Sequence, residues 1–185
     1  MDPRLVERAQ KGDASAFEAL ATRAHPRLQR VAVGVLRDPD VAEDAVQQAL
    51  LTIWRDLRRL RDPSHFEGWS YRLLLRRCYA EAKRRPRWVP DGELDERDEP
   101  VAGDEFRTVV VRDELERAFR RLSIDHRAVV VLHHLMDLPV ESVADVLGIP
   151  VGTVKSRLNR AMSCLRAAIE ADARIPSASV QEAVR

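Results

Sequence analysis

The stretch from Leu138 to Arg166, LPVESVADVLGIPVGTVKSRLNRAMSCLR, constrains the fold of this chain more than any other part of it. Apolar residues recur at steps of four and three in its second half, which predicts a helix with one buried stripe. That stripe comprises Val154, Leu158, Ala161, Leu165 and Ala168. Gly148 follows the first apolar segment, where a left-handed residue often ends a helix. Two helices joined by a glycine turn indicate a helix-turn-helix, whose second helix lies in the DNA major groove.

The second of these helices carries polar and basic side chains between its apolar positions. Such groups bind phosphates and base edges in a duplex. The residues predicted to contact DNA here are Thr153, Lys155, Ser156, Arg157, Asn159 and Arg160. We expect base or near-base contacts from Lys155, Ser156 and Arg160, and phosphate or supporting contacts from the other three.

The charges of the chain are divided unevenly along its 185 residues, although the net charge is only +1. Residues 1–90 hold 18 Lys and Arg against 12 Asp and Glu, whereas residues 91–114 hold 3 against 10. Residues 115–172 are nearly balanced, with 8 against 7. A basic front, an acidic middle and a near-neutral back favour separate partners for each part.

Breaks in the helical pattern divide the chain into two helical domains. We predict an all-α fold, because no stretch alternates with period two for long enough to form a sheet. The predicted organisation is a first domain over 1–87, a flexible acidic linker over 88–108, a second domain over 109–172 and a tail over 173–185. Within the first domain, we expect an interruption near Pro26 and an N-cap at Asp40.

Several classes of protein are excluded by what the sequence lacks. No secretory signal peptide and no apolar run of about 20 residues are present, so we expect a cytoplasmic protein without membrane insertion. Cys78 and Cys164 match no metal spacing, and free thiols are expected. His126, His133 and His134 share no pair at a spacing of four, which favours packing or solvent over metal binding. No catalytic triad, phosphate-binding glycine loop or carboxylate pair is evident, so neither enzymatic activity nor a cofactor is expected.

Three segments in order resemble the extracytoplasmic-function (group IV) sigma factors of bacterial RNA polymerase, within the sigma-70 family. DPDVAEDAVQQALLTIWRDL (38–57) is similar to that family's second conserved region, and FEGWSYRLLLRRCYAEAKRR (66–85) to its promoter-melting segment. RLSIDHRAVVVLHHLMDLPVESVADVLGIPVGTVKSRLNRAMSCLR (121–166) is similar to its fourth region. The motif GTVKSRL (152–158) alone is only moderately specific, because many regulators share that helix-turn-helix, whereas the ordered combination of segments is highly specific.

The resemblance implies a subunit that binds RNA polymerase core, recognises two promoter elements and helps to open the DNA. The fourth region would contact the upstream (−35) element, and a stress- or signal-responsive regulon is expected. The surface for the coiled coil of the largest polymerase subunit would comprise Asp44, Gln47, Gln48, Leu51 and Trp54. The residues for the downstream (−10) element would be Arg61, Ser64, His65, Phe66, Trp69, Tyr71, Arg72, Arg76, Arg77, Lys83 and Arg84. The polymerase flap is expected to be a further contact, and an anti-sigma factor is compatible with the resemblance.

Some of these residues also have plainer interpretations. Trp54 and Trp69 fit a role in the core as well as one in binding, and Asp44 and the glutamines could simply solvate a helix. The arginines could form an ordinary solvated face, but their density beside few acids favours nucleic acid. Two other functions compete: a dimeric helix-turn-helix regulator that binds palindromic duplexes, and an interaction protein that only sequesters polymerase. The aromatic and arginine-rich segment argues against the first, and the polar recognition helix against the second.

Overall fold

The computed structural model describes residues 1–84 and 115–172, and every regular element within these ranges is helical. The predicted all-α fold is therefore confirmed. The predicted linker over 88–108, the domain boundaries on either side of it and the tail over 173–185 lie outside the described residues.

Four α-helices form a front module. They are α1 (Pro3–Gln10), α2 (Ala14–Leu36), α3 (Pro39–Asp56) and α4 (Phe66–Arg84). Two short 3-10 segments, Leu57–Arg59 and Pro63–His65, connect α3 to α4. Helix α2 packs against the other three, so its buried face is at the centre of the module. Full burial of a large apolar side chain stabilises a fold by about 1.5–3 kcal/mol. The largest fully buried side chains in this module are Tyr71, Phe66, Leu20, Leu28, Ile53, Leu57 and Leu74.

Aspartates begin most elements of the front module. The carboxylates of Asp2, Asp13, Asp38 and Asp62 each accept a hydrogen bond from a backbone N–H two or three residues ahead. Asp38 caps α3 by accepting from Val41, so the expectation that Asp40 is the N-cap is wrong. The reason is Pro39, whose fixed φ and missing N–H suit the first helical position, so the helix begins at Pro39, earlier in the chain than expected.

The interruption expected near Pro26 is also absent, because α2 continues through this residue. The break lies earlier, at Gly12, whose φ of +92° ends α1 before Asp13 caps α2. A proline removes one hydrogen bond from a helix. Here the buried Ala24 and Leu28 on either side hold α2 to the core and outweigh that loss.

A back module contains the remaining helices. They are α5 (described over 115–120), α6 (Ile124–Val130), a π turn (Val131–Leu135), α7 (Val140–Leu147) and α8 (Val151–Asp172). Within the π turn, Nδ1 of His133 donates to the carbonyl oxygen of Leu138, at 2.8 Å. The half-buried His133 is thereby tied to the backbone that follows the turn.

The two modules pack directly on each other. Helix α2 contacts α6 and the π turn, and α4 contacts α7, so the buried residues of both modules form one cluster. Gly34 permits this approach, since a Cβ there would lie only 2.7 Å from Cγ2 of Val131. The sequence predicts the two modules but not their contact.

Both cysteines are free thiols, as expected. Cys78 is fully buried in α4, and this burial raises its pKa to about 12. Cys164 is exposed on α8. Within residues 1–84 and 115–172, no helix combines the length and apolar character that a bilayer crossing requires.

Candidate nucleic-acid interface

Helix α8 presents a polar face because its apolar stripe is anchored inside the back module. Val154 and Ala161 are fully buried, and the other three residues of the stripe are at most 8% exposed, as predicted. The opposite face therefore points to solvent. It exposes Lys155, Ser156, Asn159 and Arg160, while Thr153 and Arg157 are half-buried.

The turn before α8 fixes where that face begins. Gly148 has φ +67° and donates to the carbonyl of Ala144 at 2.8 Å, which ends α7 in a left-handed residue as expected. The carbonyl of Pro150 then accepts from Thr153 and Val154 at 2.9 and 3.1 Å. The geometry is that of a helix-turn-helix, with the exposed basic residues in the first three turns of its second helix.

Arg157 differs from its neighbours on α8. Its guanidinium lies 3.3 Å from the carboxylate of Asp125 on α6. The same carboxylate accepts a hydrogen bond of 3.0 Å from the hydroxyl of Tyr79 on α4. Asp125, which the sequence did not single out, therefore joins the two modules. Its only sequence signal is an acidic residue in the first turn of a short helix.

Helix α4 supplies a second basic face. Arg72, Arg76, Lys83 and Arg84 are exposed along it. Arg77 is half-buried and donates to the hydroxyl of Thr52 at 3.0 Å. Arg72 donates to the backbone carbonyl of Asp145 on α7, so one end of this face touches the back module. Excess positive charge of this density favours a polyanionic partner.

The predicted aromatic residues of α4 are placed at different depths. Phe66 and Tyr71 are each 1% exposed, and the hydroxyl of Tyr71 donates to Glu67 at 3.1 Å. In this conformation both support α4 from inside the front module. Trp69 is half-buried with its ring centroid 6.2 Å from that of Phe66. Contact of these three with DNA stays a prediction.

The loop before α4 is organised around Asp62. Its carboxylate accepts from the hydroxyl of Ser64 at 2.7 Å and lies 2.9 Å from Nδ1 of His65. The bonds from Ser64, and then the proximity of His65, keep the pKa of Asp62 below its usual value. Arg61, Ser64 and His65 are nevertheless exposed. The hydrogen bonds to Asp62 therefore hold the loop in one conformation, with the polar groups of these three residues exposed to solvent.

A third exposed surface lies on α3. Leu51 is 62% exposed although it is apolar, and Asp44, Gln47 and Gln48 are exposed on the same helix. The ring of Trp54 contacts that of Phe17 at a centroid distance of 4.4 Å and is still 47% exposed. Neither of the two interpretations of Trp54 is therefore complete, because the residue both packs and faces solvent.

Family models described as "Sigma-70 region 2" and "Sigma-70, region 4" match residues 20–88 and 112–165. The chain is 30% identical to the RNA polymerase sigma-H factor of Pseudomonas aeruginosa over 181 residues, covering 91% of this chain and 94% of that one. It is 32% identical to the ECF RNA polymerase sigma factor SigM of Mycobacterium tuberculosis, covering 89% and 82%.

One solved structure with this fold is the complex of the sigma factor RpoE with the anti-sigma factor NepR from Bartonella quintana. The TM-score is 0.64 at 24% identity, and the match covers 84% of this chain and 98% of that chain. The likeness establishes that the two chains share their helical architecture.

Proposed function

Because this chain belongs to the sigma-70 family of bacterial RNA polymerase sigma factors, in its extracytoplasmic-function group, we propose a role for each of its three exposed surfaces. As a member of that family it is a transcription initiation factor and not an enzyme. It binds RNA polymerase core, directs it to promoter elements and takes part in opening the DNA, while the polymerase performs the chemistry.

The polar face of α8 is proposed to contact the upstream (−35) element as intact duplex. Lys155, Ser156 and Arg160 are exposed near the start of the helix and would reach base edges, with Asn159 beside them. A bidentate contact to a base contributes about 1–3 kcal/mol of discrimination against the wrong base pair. Arg157 would bind a phosphate once it leaves Asp125.

The basic face of α4 and the loop around Asp62 are proposed to bind the downstream (−10) element. An opened strand needs cations along its backbone, a ring for stacking and a pocket for an unstacked base. Arg72, Arg76, Lys83 and Arg84 supply the cations, and Trp69 is half-buried beside them. The exposed Arg61, Ser64 and His65, with their loop held by Asp62, are the groups around the proposed base pocket.

The exposed face of α3 is proposed to bind the coiled coil of the largest polymerase subunit. Leu51 and Trp54 supply apolar area inside a polar rim of Asp44, Gln47 and Gln48, which is the usual composition of a protein interface. A second contact, with the polymerase flap, is supported by exposed apolar side chains on the back module. They are Leu115, Leu135, Met162 and Ile169.

The remaining proposals concern organisation and setting. We propose a front domain over 1–87 and a back domain over 109–172, joined by residues 88–108. A protein that serves core polymerase works in the cytoplasm. RpoE of Bartonella quintana forms a complex with an anti-sigma factor and has the same fold, which supports an anti-sigma factor as a regulatory partner here. A stress- or signal-responsive regulon fits such control.

The observation that carries the proposal is that one chain exposes two different basic and polar surfaces, one on α4 with its preceding loop and one on α8. A basic α4 beside an ordered polar loop suits a single strand, and a helix-turn-helix suits a duplex. A regulator that only binds duplex operators has no use for the first surface.

In vitro transcription tests this function directly. Purified core polymerase is incubated with a promoter library, with and without the protein, and the transcripts are sequenced. New start sites that require the protein, and that share two spaced motifs, are expected. If the start sites do not depend on the protein, or if it binds symmetric operators as a dimer without polymerase, the proposal is wrong.

A further inference from the structure

Glu67 is an acidic residue in the part of α4 that is proposed to bind the downstream element. It lies in the first turn of the helix, between Phe66 and Trp69, and the next acidic residue along α4 is Glu81. A carboxylate turned toward the phosphates of a DNA strand would oppose binding. The contacts of its side chain therefore decide whether Glu67 hinders the proposed function or serves it.

The carboxylate of Glu67 is bonded to groups of the front module. The guanidinium of Arg27 on α2 donates to its Oε1 atom and forms an ion pair with it. The hydroxyl of Tyr71, one turn further along α4, donates to the same oxygen at 3.1 Å. The side chains of Glu67 and Arg27 are 32% and 46% exposed, so the pair lies at the edge of the module. The charge of Glu67 is thus balanced by a cation of its own module.

The hydroxyl of Tyr71 requires an acceptor at this position. The residue is almost fully buried, and this burial, followed by the nearby carboxylate of Glu67, raises the pKa of its phenol. The phenol therefore keeps its proton and remains a donor. A buried donor without an acceptor is unfavourable, so the bond from Tyr71 holds the side chain of Glu67 in one orientation.

The pair of Arg27 and Glu67 connects α2 to the first turn of α4. Ala24 and Leu28 of α2 line a cleft beside the pair, whose other wall is this turn. Within the turn, the hydroxyl of Ser70 donates to the carbonyl oxygen of Glu67 at 2.7 Å. The first turn of α4 therefore takes its position from α2.

The groups that would hold an opened strand are direct neighbours of Glu67. Phe66 precedes it in the chain, and the ring centroid of Trp69 lies 6.2 Å from that of Phe66. The loop organised by Asp62 ends where this turn begins. A binding site works in full when its groups are held within about 0.5 Å of the productive geometry. A movement of Glu67 would therefore displace both the ring and the loop.

We propose that Glu67 is a positioning residue for the opening of the downstream element. Held by Arg27 and Tyr71, it fixes the first turn of α4, and thereby the places of Phe66 and Trp69, without touching DNA itself. The inference rests on the proposed function, because it assumes that this turn and its loop bind the opened strand.

A double-mutant cycle on the rate of strand opening tests the proposal. Holoenzyme is assembled from core polymerase and each variant, and opening is followed with a fluorescent adenine analogue in the downstream element. Glu67→Gln keeps an acceptor for Tyr71 but loses the ion pair, and Arg27→Gln loses the same pair from the other side. Each change should slow opening at least about fivefold. The double variant should be no slower than the slower single variant, because both changes break one interaction.

Two further variants separate position from charge. Glu67→Asp keeps the charge but shortens the side chain, so it should also slow opening, at least about threefold. Glu81→Gln is the matched control, because Glu81 is an acid of the same helix that pairs with an arginine, Arg84, at 3.0 Å. It should leave the rate within about twofold of that of the unmodified protein. On a template whose downstream element is already unpaired, all Glu67 variants should transcribe as well as the unmodified protein.

The possible results have distinct meanings. Faster opening by Glu67→Gln would show that Glu67 only repels DNA, and additive losses in the double variant would show that it does not act with Arg27. Normal opening by Glu67→Asp would leave charge alone as the cause, and a loss that persists on the unpaired template would indicate a folding or polymerase-binding defect. Each of these four results overturns the inference. If the unmodified protein opens no promoter with core polymerase, the proposed function has failed instead.

Discussion

Replacing Gly148, in the turn of the helix-turn-helix, should change the stability of the protein through backbone conformation alone. Gly148 has φ +67°, and a Cβ added there would meet nothing within 4 Å. Replacement by alanine therefore creates no collision, and the only unfavourable contribution is the left-handed backbone, about 1–2 kcal/mol for an L-residue. Alanine also restricts the unfolded chain, which returns about 0.4–1 kcal/mol. We expect Gly148→Ala to lower the free energy of unfolding by about 1 kcal/mol.

Two further variants sharpen this prediction. Gly148→Asn should lose less than the alanine variant, because asparagine tolerates the left-handed region better. Gly152 lies four residues on, in α8, where a Cβ would also meet nothing within 4 Å but the backbone is helical. Gly152→Ala should therefore raise the free energy of unfolding, by about 0.5–1 kcal/mol.

The measurement is urea unfolding followed by circular dichroism, with all four proteins compared at one temperature and pH. Opposite signs at 148 and 152 are the expected signature, with asparagine between glycine and alanine at 148. A neutral or stabilising Gly148→Ala would refute the reasoning, because it would mean that the turn does not require the left-handed residue.

Three other predictions concern the binding surfaces and a buried thiol. Arg160→Ala should lower transcription from some promoters by about 5- to 150-fold and leave others little changed in a promoter-library assay. Arg166→Ala, at an exposed position further along α8, is the control and should have little effect in the same assay. An equal loss on every promoter would mean that Arg160 contacts a phosphate and not a base. Leu51→Asp should weaken binding to core polymerase at least about tenfold, as measured by biolayer interferometry. It should not lower the free energy of unfolding, because the side chain is 62% exposed. Unchanged binding would contradict the proposal that the exposed face of α3 binds polymerase. Because burial raises the pKa of Cys78 to about 12 from 9.0, the folded state retains a proton that the unfolded chain loses above pH 9. The contribution of this thiol to the free energy of unfolding should therefore be constant below pH 9 and fall as pH rises from 9 toward 12. Urea midpoints across that range test this, and a thiol reagent should meanwhile modify only Cys164 in the native protein.

The sequence predicts those features that repeat along one helix. The buried stripe of α8 follows from its spacing, because burial on a single face leaves a regular pattern of apolar residues. Gly148 was predictable for a similar reason, since a helix end leaves a local signal. The continuation of α2 through Pro26 was not, because packing around Ala24 and Leu28 decides it against the local preference.

Contacts between residues that are far apart in the sequence have no comparable pattern in the sequence. Gly34 lies within a helical pattern, and only the position of Val131 explains why it cannot be larger. Asp125 is one acid among many until the structure places Tyr79 and Arg157 on either side of it. The residues predicted to contact DNA also differ in exposure. The sequence could not predict that Phe66 and Tyr71 are buried inside the front module.

The amide of Gln10 gives the first helix a role at a distance. It donates to the carbonyl oxygens of Leu57 and Leu60, at 3.1 and 2.7 Å, where the chain leaves α3 for the loop that holds Asp62. The carbonyl of Leu57 also accepts from the backbone N–H of Leu60 at 3.1 Å, so Gln10 adds a side-chain donor to this short 3-10 turn. Helix α1 thus supports the loop that we propose to bind the opened strand, although it carries none of the residues proposed to contact nucleic acid. Shortened versions of this protein that begin at α2 would keep every such group and still melt promoters poorly.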